Sequence, residues 1–464
     1  MTKMEAKNII SELEGDYLRD ITVRRFGLEF EIYPWLKSRM FHKLIMGQEV
    51  LKAKSFTVLL SQFRTLGYGV LNFFRKYDAW AFTTSFERVL IEGKFTDKSM
   101  DYIGNNCGLK MLVVELQLFR RFKKRQVASR YAVSRAWLIF IEELYSFVFL
   151  RNVKINNESI FHEVQKKLDV QVDALSITKK YLAQYKIMSL ILSKVHKPKV
   201  VFITVSYANF GYIRAFKEHN IRVVEIQHGL IGENHFSYRY AYVPNSNQFP
   251  DDVLVYGQRD KNFFQNLTQI PVSNVFSIGS FVLEHFHHRA AENRVPFKRV
   301  LVSLQDSHWS LALLEFIVRY NELVPNEIEW IIQPRRTPES FYRELYTFSE
   351  NVKFSNTSIY ESMAVCDAHL TIFSTTALES LSIGKPTFLY NYEGASRKYL
   401  DFFLKEQPYS YFFDTVEEFA LMLSGINLFT LHEIRSSSES MISSDYQSNI
   451  NRYIRNQINA IQES

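Results

Sequence analysis

Between Leu370 and Tyr390 the chain reads Leu-Thr-Ile-Phe-Ser-Thr-Thr-Ala-Leu-Glu-Ser-Leu-Ser-Ile-Gly-Lys-Pro-Thr-Phe-Leu-Tyr: an apolar strand, a hydroxyl-rich turn, a short helix and a second strand. That turn is chemically suited to phosphate. The first N–H groups of a helix lack intrahelical acceptors and the helix dipole favours an anion there, so the hydroxyls of Ser374, Thr375 and Thr376 add donors to a ready anion site. Glu379 follows Thr376 by three residues, one turn along. Two readings of this pair stand: contacts to the phosphates and ribose of a nucleotide, or a T-x-x-E capping box that closes the helix start and binds nothing.

A second group lies in Gln227-His-Gly-Leu-Ile-Gly-Glu-Asn-His-Phe-Ser-Tyr238. His228 is the side chain here that titrates near neutrality, so it could accept a proton from an acceptor hydroxyl; equally, it could bond the backbone and shape the loop. Glu233 and His235 are second choices, as base or as the group that orients one. Gln227 and Gly229 complete this acceptor-side loop, glycine allowing close backbone approach. In Ile331-Ile-Gln-Pro-Arg-Arg336, Gln333 ends a strand, and Arg335 or Arg336 could meet a phosphate through two N–H donors or form a surface ion pair. Ser303 and Gln305 follow another strand and face the same predicted cleft.

The elements around these residues form a series. From Pro198 onward, Lys199–Thr204, Arg222–Ile226, Val253–Tyr256 and Val275–Ile278 read as buried parallel strands, with helical spacing from Ala208 to His219. After a charged stretch, His287 to Arg299, the series restarts: strand Arg299–Ser303, helix Leu311–Leu323, strand Glu329–Ile332, helix Ile359–Val365, then the hydroxyl turn. The expected fold is α/β: two Rossmann-like doubly wound parallel sheets facing across a cleft, with helical additions in the N-terminal half. The expected domains are residues 1–285 and 298–430, with a tail, 431–464, packing on the first. In the first half, Ala79–Thr83 reads as a strand, preceded by a helix from Ser61 to Lys76, and residues 111–128, 134–150 and 160–195 read as helical.

With 464 residues, 47% hydrophobic and 23% charged, the chain has the composition of a multidomain globular protein. Cys107 and Cys366, without ligand spacing, read as buried thiols in a reducing compartment. No leader-like apolar segment follows Met1, and no apolar run is long enough to span a bilayer, so a cytoplasmic location is expected. The net charge of +7 implies an anionic partner. Arg120, Arg121, Lys123, Lys124 and Arg125 form the densest cationic run. It suits the head groups of the inner membrane face or an anionic glycan, or is a solvated helix face. No zinc-ligand set or aromatic RNP-like motif accompanies the charge, which argues against nucleic acid. The chain lacks GxxxxGK[ST], HExxH, GxSxG and Asp-x-Asp elements. Neither a cofactor nor a metal is therefore expected, and phosphate must be met by helix N-termini, hydroxyls and arginine.

Gln227-His-Gly, together with Phe373-Ser-Thr-Thr-Ala-Leu-Glu-Ser-Leu-Ser-Ile-Gly-Lys-Pro386, resembles the bacterial capsule and surface-polysaccharide glycosyltransferases of GT-B fold. This group includes polysialyltransferase-like and Kdo-transferase-like enzymes and, more distantly, the teichoic acid glycerophosphotransferases. The resemblance covers residues 199 to 392; Ala81–Arg88 and Glu92–Lys98 extend it weakly. It implies a nucleotide-sugar donor on the C-terminal domain and a glycan or lipid-linked glycan acceptor on the N-terminal one. Ser374 to Thr376 would contact the donor phosphates, Glu379 the nucleotide, and His228 would be the base. The family's strand-end His-Pro is Gln333-Pro334 here, so an acid role at that position lapses and Arg335 would supply the charge. The expected activity is an inverting, metal-independent transfer of a sugar to a surface polysaccharide such as capsule or O-antigen. A sugar-nucleotide 2-epimerase of the same fold and a non-catalytic polysaccharide-assembly protein are the alternatives.

Overall fold

The computed structural model describes residues 10, 12–46, 65–117, 124–231, 235–266, 269–294, 296–305, 308–325, 327–335, 337–426 and 429–459. The chain divides into two units, Met1–Ser277 with Gln447–Ser464, and Ile278–Tyr446. The division falls at Ser277 rather than within 285–298, and that charged stretch lies wholly in the second unit. The tail is split as well, residues 431–446 belonging to the second unit and 447–464 to the first. Tyr453 anchors its last part, donating to Asp252 (2.6 Å) and packing edge-on against Phe276.

In the first unit a hairpin, β1 (Thr22–Arg25) and β2 (Leu28–Glu31), precedes β3 (Ala79–Thr84). A second hairpin, β4 (Arg88–Ile91) and β5 (Lys94–Asp97), is inserted before β6 (Met111–Leu116) and β7 (Ala132–Ser134). Then come β8 (Val200–Ile203), β9 (Arg222–Ile226), β10 (Asp252–Val255) and β11 (Asn274–Ser277). The main sheet is parallel and runs β11-β10-β9-β8-β3-β6-β7. The second unit contains β12 (Arg299–Ser303), β13 (Glu329–Gln333), β14 (Val352–Phe354), β15 (Ala368–Thr371), β16 (Thr387–Tyr390) and β17 (Ser410–Phe413). Its order is β14-β13-β12-β15-β16-β17, again all parallel.

Both sheets are thus wound alike. Each starts in the middle, steps outward twice, returns to the other side of its first strand and continues outward. In doubly wound sheets ligands collect where that order reverses, outside the carboxyl ends of the strands. The reversal lies between β3 and β8 in the first unit and between β12 and β15 in the second. Strands covered on both faces read as continuous apolar runs, and β8, β10 and β15 are buried at every position.

The same physics explains the largest departure from the sequence reading. Residues 111–116, expected as helix, form β6, whose first five residues are buried. A short apolar run without alternation suits a doubly covered strand and a buried helix equally, and pairing with β3 and β7 decides it. The region expected as helix from 160 to 195 is two helices, Glu158–Leu168 and Ala174–Leu192, and the described part of 61–76 holds only a short 3-10 helix, Val70–Phe74. Cys366 is buried, whereas Cys107 is only half-buried.

Candidate functional site

In the second unit the switch point brings together residues from β12, β15 and the helix Thr376–Ile383. Thr376 Oγ1 donates to Ser303 Oγ at 3.3 Å, and Ser303 Oγ in turn bonds His369 Nε2. Thr371 Oγ1 reaches the Ser303 carbonyl at 3.3 Å. His369 is buried without another charge at hand, which pushes its pKa down to about 3. The imidazole is therefore neutral near pH 7 and supplies a hydrogen bond, not a charge. Gln305 is buried and its Oε1 accepts from the Phe373 N–H at 3.4 Å, so it shapes the turn from within.

The capping-box reading fails on register. Thr375, not Thr376, is the N-cap; it adopts φ −58° and ψ −27° and makes no side-chain cap bond. Glu379 then lies one residue beyond the position a box requires, and its carboxylate accepts from Tyr360 Oη at 3.2 Å. True boxes close two other helices of this unit, Ser358 with Glu361 and Thr430 with Glu433. At the hydroxyl turn the helix interior begins with Ala377 N–H donating to Ser374 O (3.1 Å) and Leu378 N–H to Thr375 O (3.0 Å). The Ser374 and Thr375 N–H groups find no acceptor among the described residues. Thr375 is exposed, and Ser374 and Thr376 are half-buried. Thr376 N–H is met by Ser374 Oγ at 3.3 Å, so the open donors are the two N–H groups just ahead of the helix, and with the hydroxyls around them they suit an anion.

The other end of this helix is structural. Gly384 takes φ +101°, and a Cβ there would lie 2.8 Å from the Leu431 carbonyl oxygen. Lys385 N–H reaches Ser380 O (2.9 Å) and Gly384 N–H reaches Leu381 O (3.0 Å), the Schellman pattern. Lys385 is buried and its ammonium bonds the Ala291 carbonyl and Asn293 Oδ1; burial lowers its pKa to about 8. The Gly-Lys-Pro part of the motif thus ends and anchors the helix.

Gln333 does not present its amide to this turn. Its Nε2 donates to the Thr357 carbonyl (3.4 Å) and its Oε1 accepts from Ser362 Oγ (3.2 Å). Arg335 is exposed just past β13, and Arg336 lies outside the described residues.

In the first unit the acceptor-side loop leaves β9, one strand from the reversal point. Gln227 is wholly buried and fully engaged: its Nε2 donates to Gly229 O (2.8 Å) and Asp260 Oδ2 (2.6 Å), and its Oε1 accepts from Tyr256 N–H (2.6 Å). It therefore sets the loop's shape and has no group left for an acceptor. A Cβ on Gly229 would meet nothing within 4 Å, so neither crowding nor a left-handed turn demands glycine there. His235 is half-buried, its ring 4.6 Å from Tyr238 and 5.8 Å from Tyr207. Glu233 lies outside the described residues.

His228 is half-buried, and its Nδ1 has no hydrogen-bond partner among the described residues. Burial pulls its pKa below 6.5; Glu87 opposes that, Lys98 adds to it, and the Thr204 backbone opposes it. Glu87 and Lys98 pair at 3.5 Å. They occupy the two ends of the β4–β5 hairpin, held also by Lys98 N–H to Glu87 O at 2.9 Å. Beneath the loop, burial pushes Glu225 up to about 7, although it accepts from Tyr238 Oη (2.6 Å) and Ser206 N–H (2.9 Å).

The hairpin is fastened by Arg88. Its guanidinium is buried, bonded to Glu115, Asp101 (3.0 Å), Ser129 Oγ (2.8 Å) and the Phe95 carbonyl (2.9 Å). Asp97, beside it, accepts from Thr83 Oγ1 (2.7 Å) and from the Ser99 and Met100 N–H groups; burial, then Asp101, raises its pKa. Sequence reasoning assigned no role to Glu87, Arg88 or Lys98. The available signal was the Glu92-Gly93 turn, whose residues take φ +51° and +76°, the geometry of a tight hairpin more often marked by Asn-Gly or Asp-Gly.

No family model matches the sequence, and no curated protein matches it. Solved structures resemble it. MnaA of S. aureus in complex with UDP superposes with a TM-score of 0.48 at 11% identity, over 84% of this chain and 97% of that one. CalG4, the calicheamicin glycosyltransferase, gives 0.47 at 12% identity, over 82% and 100%. The wall teichoic acid polymerase TagF gives 0.44 at 10% identity, over 94% and 100%. At these identities the likeness says nothing of activity, and the fold is defined by the two strand orders.

Proposed function

We propose that the protein is a glycosyltransferase that moves a sugar from a nucleotide donor to a surface-polysaccharide acceptor, with inversion and without a metal. The observation that carries this reading is the Ser303–Thr376 hydroxyl pair at the switch point of the second sheet, beside a turn in which the Ser374 and Thr375 N–H groups, just ahead of the helix, have no acceptor among the described residues. That combination suits a nucleotide's phosphates. His228, held neutral by burial, takes the proton from an acceptor hydroxyl. The acceptor oxygen bonds the anomeric carbon, the bond from that carbon to the phosphate oxygen breaks, and its electron pair remains on the phosphate. Ser374, Thr375 and Thr376, with Arg335, offset that charge. A single displacement inverts the configuration.

Incubation with CMP-, UDP- and GDP-linked sugars, each alone and with polysaccharide acceptors, tests this reading. It predicts donor consumption that depends on an acceptor and persists in EDTA. Isomerisation of a donor without acceptor would instead identify a sugar-nucleotide epimerase. Failure of every nucleotide to bind would leave a non-catalytic assembly role.

A further inference from the structure

The helix Ala136–Phe149 buries Ala136, Leu138 and Glu142 and turns a different face outward. Phe140, Ile141, Leu144, Phe147 and Val148 recur at the spacing of one helical face, and all are exposed, Phe147 by 70%. Solvated helices normally carry polar residues on that face, and a contiguous apolar stripe on a protein surface marks a contact. The C-terminal end of the stripe is aromatic and cationic. Tyr145 stacks on Phe149 at 4.9 Å and lies 6.5 Å from Phe26. Arg151 sits 5.2 Å from the Phe147 ring centre and donates to the Phe147 carbonyl (3.2 Å). Arg25 donates to the Phe149 carbonyl at 2.9 Å, and Lys186 lies 5.2 Å from the Phe26 ring centre.

From this juxtaposition we infer that the Ala136–Phe149 helix is the surface by which the protein docks on an anionic lipid membrane. The apolar stripe enters the head-group and acyl boundary, while Arg25, Arg151 and Lys186 meet lipid phosphates. Charge selects this occupant. Two copies of the chain joined through the same face would bring these cations, on molecules of net charge +7, against one another, whereas an anionic bilayer attracts them. No described helix is long and apolar enough to cross a membrane, so this one lies in the interface. These residues are distinct from the cationic run Arg120, Arg121, Lys123, Lys124 and Arg125, of which 120, 121 and 123 lie outside the described residues.

The test is co-sedimentation of the full chain with vesicles of phosphatidylcholine alone and of phosphatidylcholine with about one third phosphatidylglycerol. The native protein is expected to sediment with the anionic vesicles and to be released by high salt. Phe140→Asp with Phe147→Asp should cut binding at least about tenfold, the loss expected when an apolar side chain can no longer be buried, with an unchanged melting temperature. Arg25→Glu with Arg151→Glu should abolish the preference for anionic lipid. The inference is overturned if native protein ignores both vesicles, if either double variant binds anionic vesicles as the native does, or if the native chain is a dimer that Phe147→Asp dissociates.

Discussion

Replacing Arg88 with Met is expected to destabilise the first unit by about 3–5 kcal/mol, the range for breaking a buried ion pair from one side. The guanidinium lies between Asp101 and Glu115 with no solvent to take its place, and it also serves Ser129 and the Phe95 carbonyl. Without it two buried carboxylates lose their counter-charge beside Asp97, itself already raised by burial. Methionine fills much of the volume, so the loss reads charge and hydrogen bonding rather than a cavity. Because the chain has two units, a single two-state fit is inappropriate, and the first-unit transition should be followed by hydrogen exchange under urea. The Lys98 and Ala128 amides, which donate to Glu87 O and Phe95 O at the β4–β5 hairpin, should lose protection first. Arg88→Lys should fall between, since an ammonium cannot reproduce the planar set of donors. A loss below about 1 kcal/mol for the Met variant would show that the cluster is not what holds the hairpin.

His228→Ala is expected to lower kcat by about 10²- to 10⁴-fold, the usual contribution of a positioned general base, while nucleotide affinity and melting temperature stay near native values. His228→Gln, which keeps volume and hydrogen bonding but cannot take a proton, should be equally slow. The pH profile adds a sign. A base acts when deprotonated, and burial places the His228 pKa below 6.5. Turnover should therefore fall on the acid side, with the limb centred below pH 6.5. Near-native turnover in both variants, or an acid limb centred at or above 6.5, would remove His228 from this role. The hairpin links the two predictions. Glu87 and Lys98 act on His228 from opposite signs, so loosening the hairpin through Arg88 should also shift the acid limb.

The doubly wound series from residue 199 onward was legible because parallel strands covered on both faces must be short apolar runs punctuated by turns. Arg222–Ile226 and Arg299–Ser303 match to the residue. The same feature hid β6, because an apolar run with no alternation carries no period to read. The two hairpins escaped because Phe26-Gly27 and Glu92-Gly93 are weak turn signals, though all four residues take positive φ. In the site, the hydroxyl turn was legible from composition. Its N-cap was not, since Thr375 and Thr376 are alike as residues and only the backbone decides which one starts the helix. The bond from Thr376 to Ser303 arises because β12 and β15 are neighbours in the sheet, an adjacency that no local spacing encodes. Gln227 and Gln333 show the reverse case. Each looked like a ligand group, and each has its amide engaged by protein partners.

The central claim, that the turn at Ser374 to Thr376 holds a nucleotide's phosphates, is tested most directly by calorimetric titration of CMP, CDP, UDP and GDP into native protein and into the Ser374→Ala/Thr376→Val double variant. At least one nucleotide should bind the native chain. The double variant should bind that nucleotide about 10- to 100-fold more weakly, the loss of one or two hydrogen bonds to a charged group, while keeping its fold. Equal affinity in the two proteins, or no binding of any nucleotide to the native chain, would contradict it.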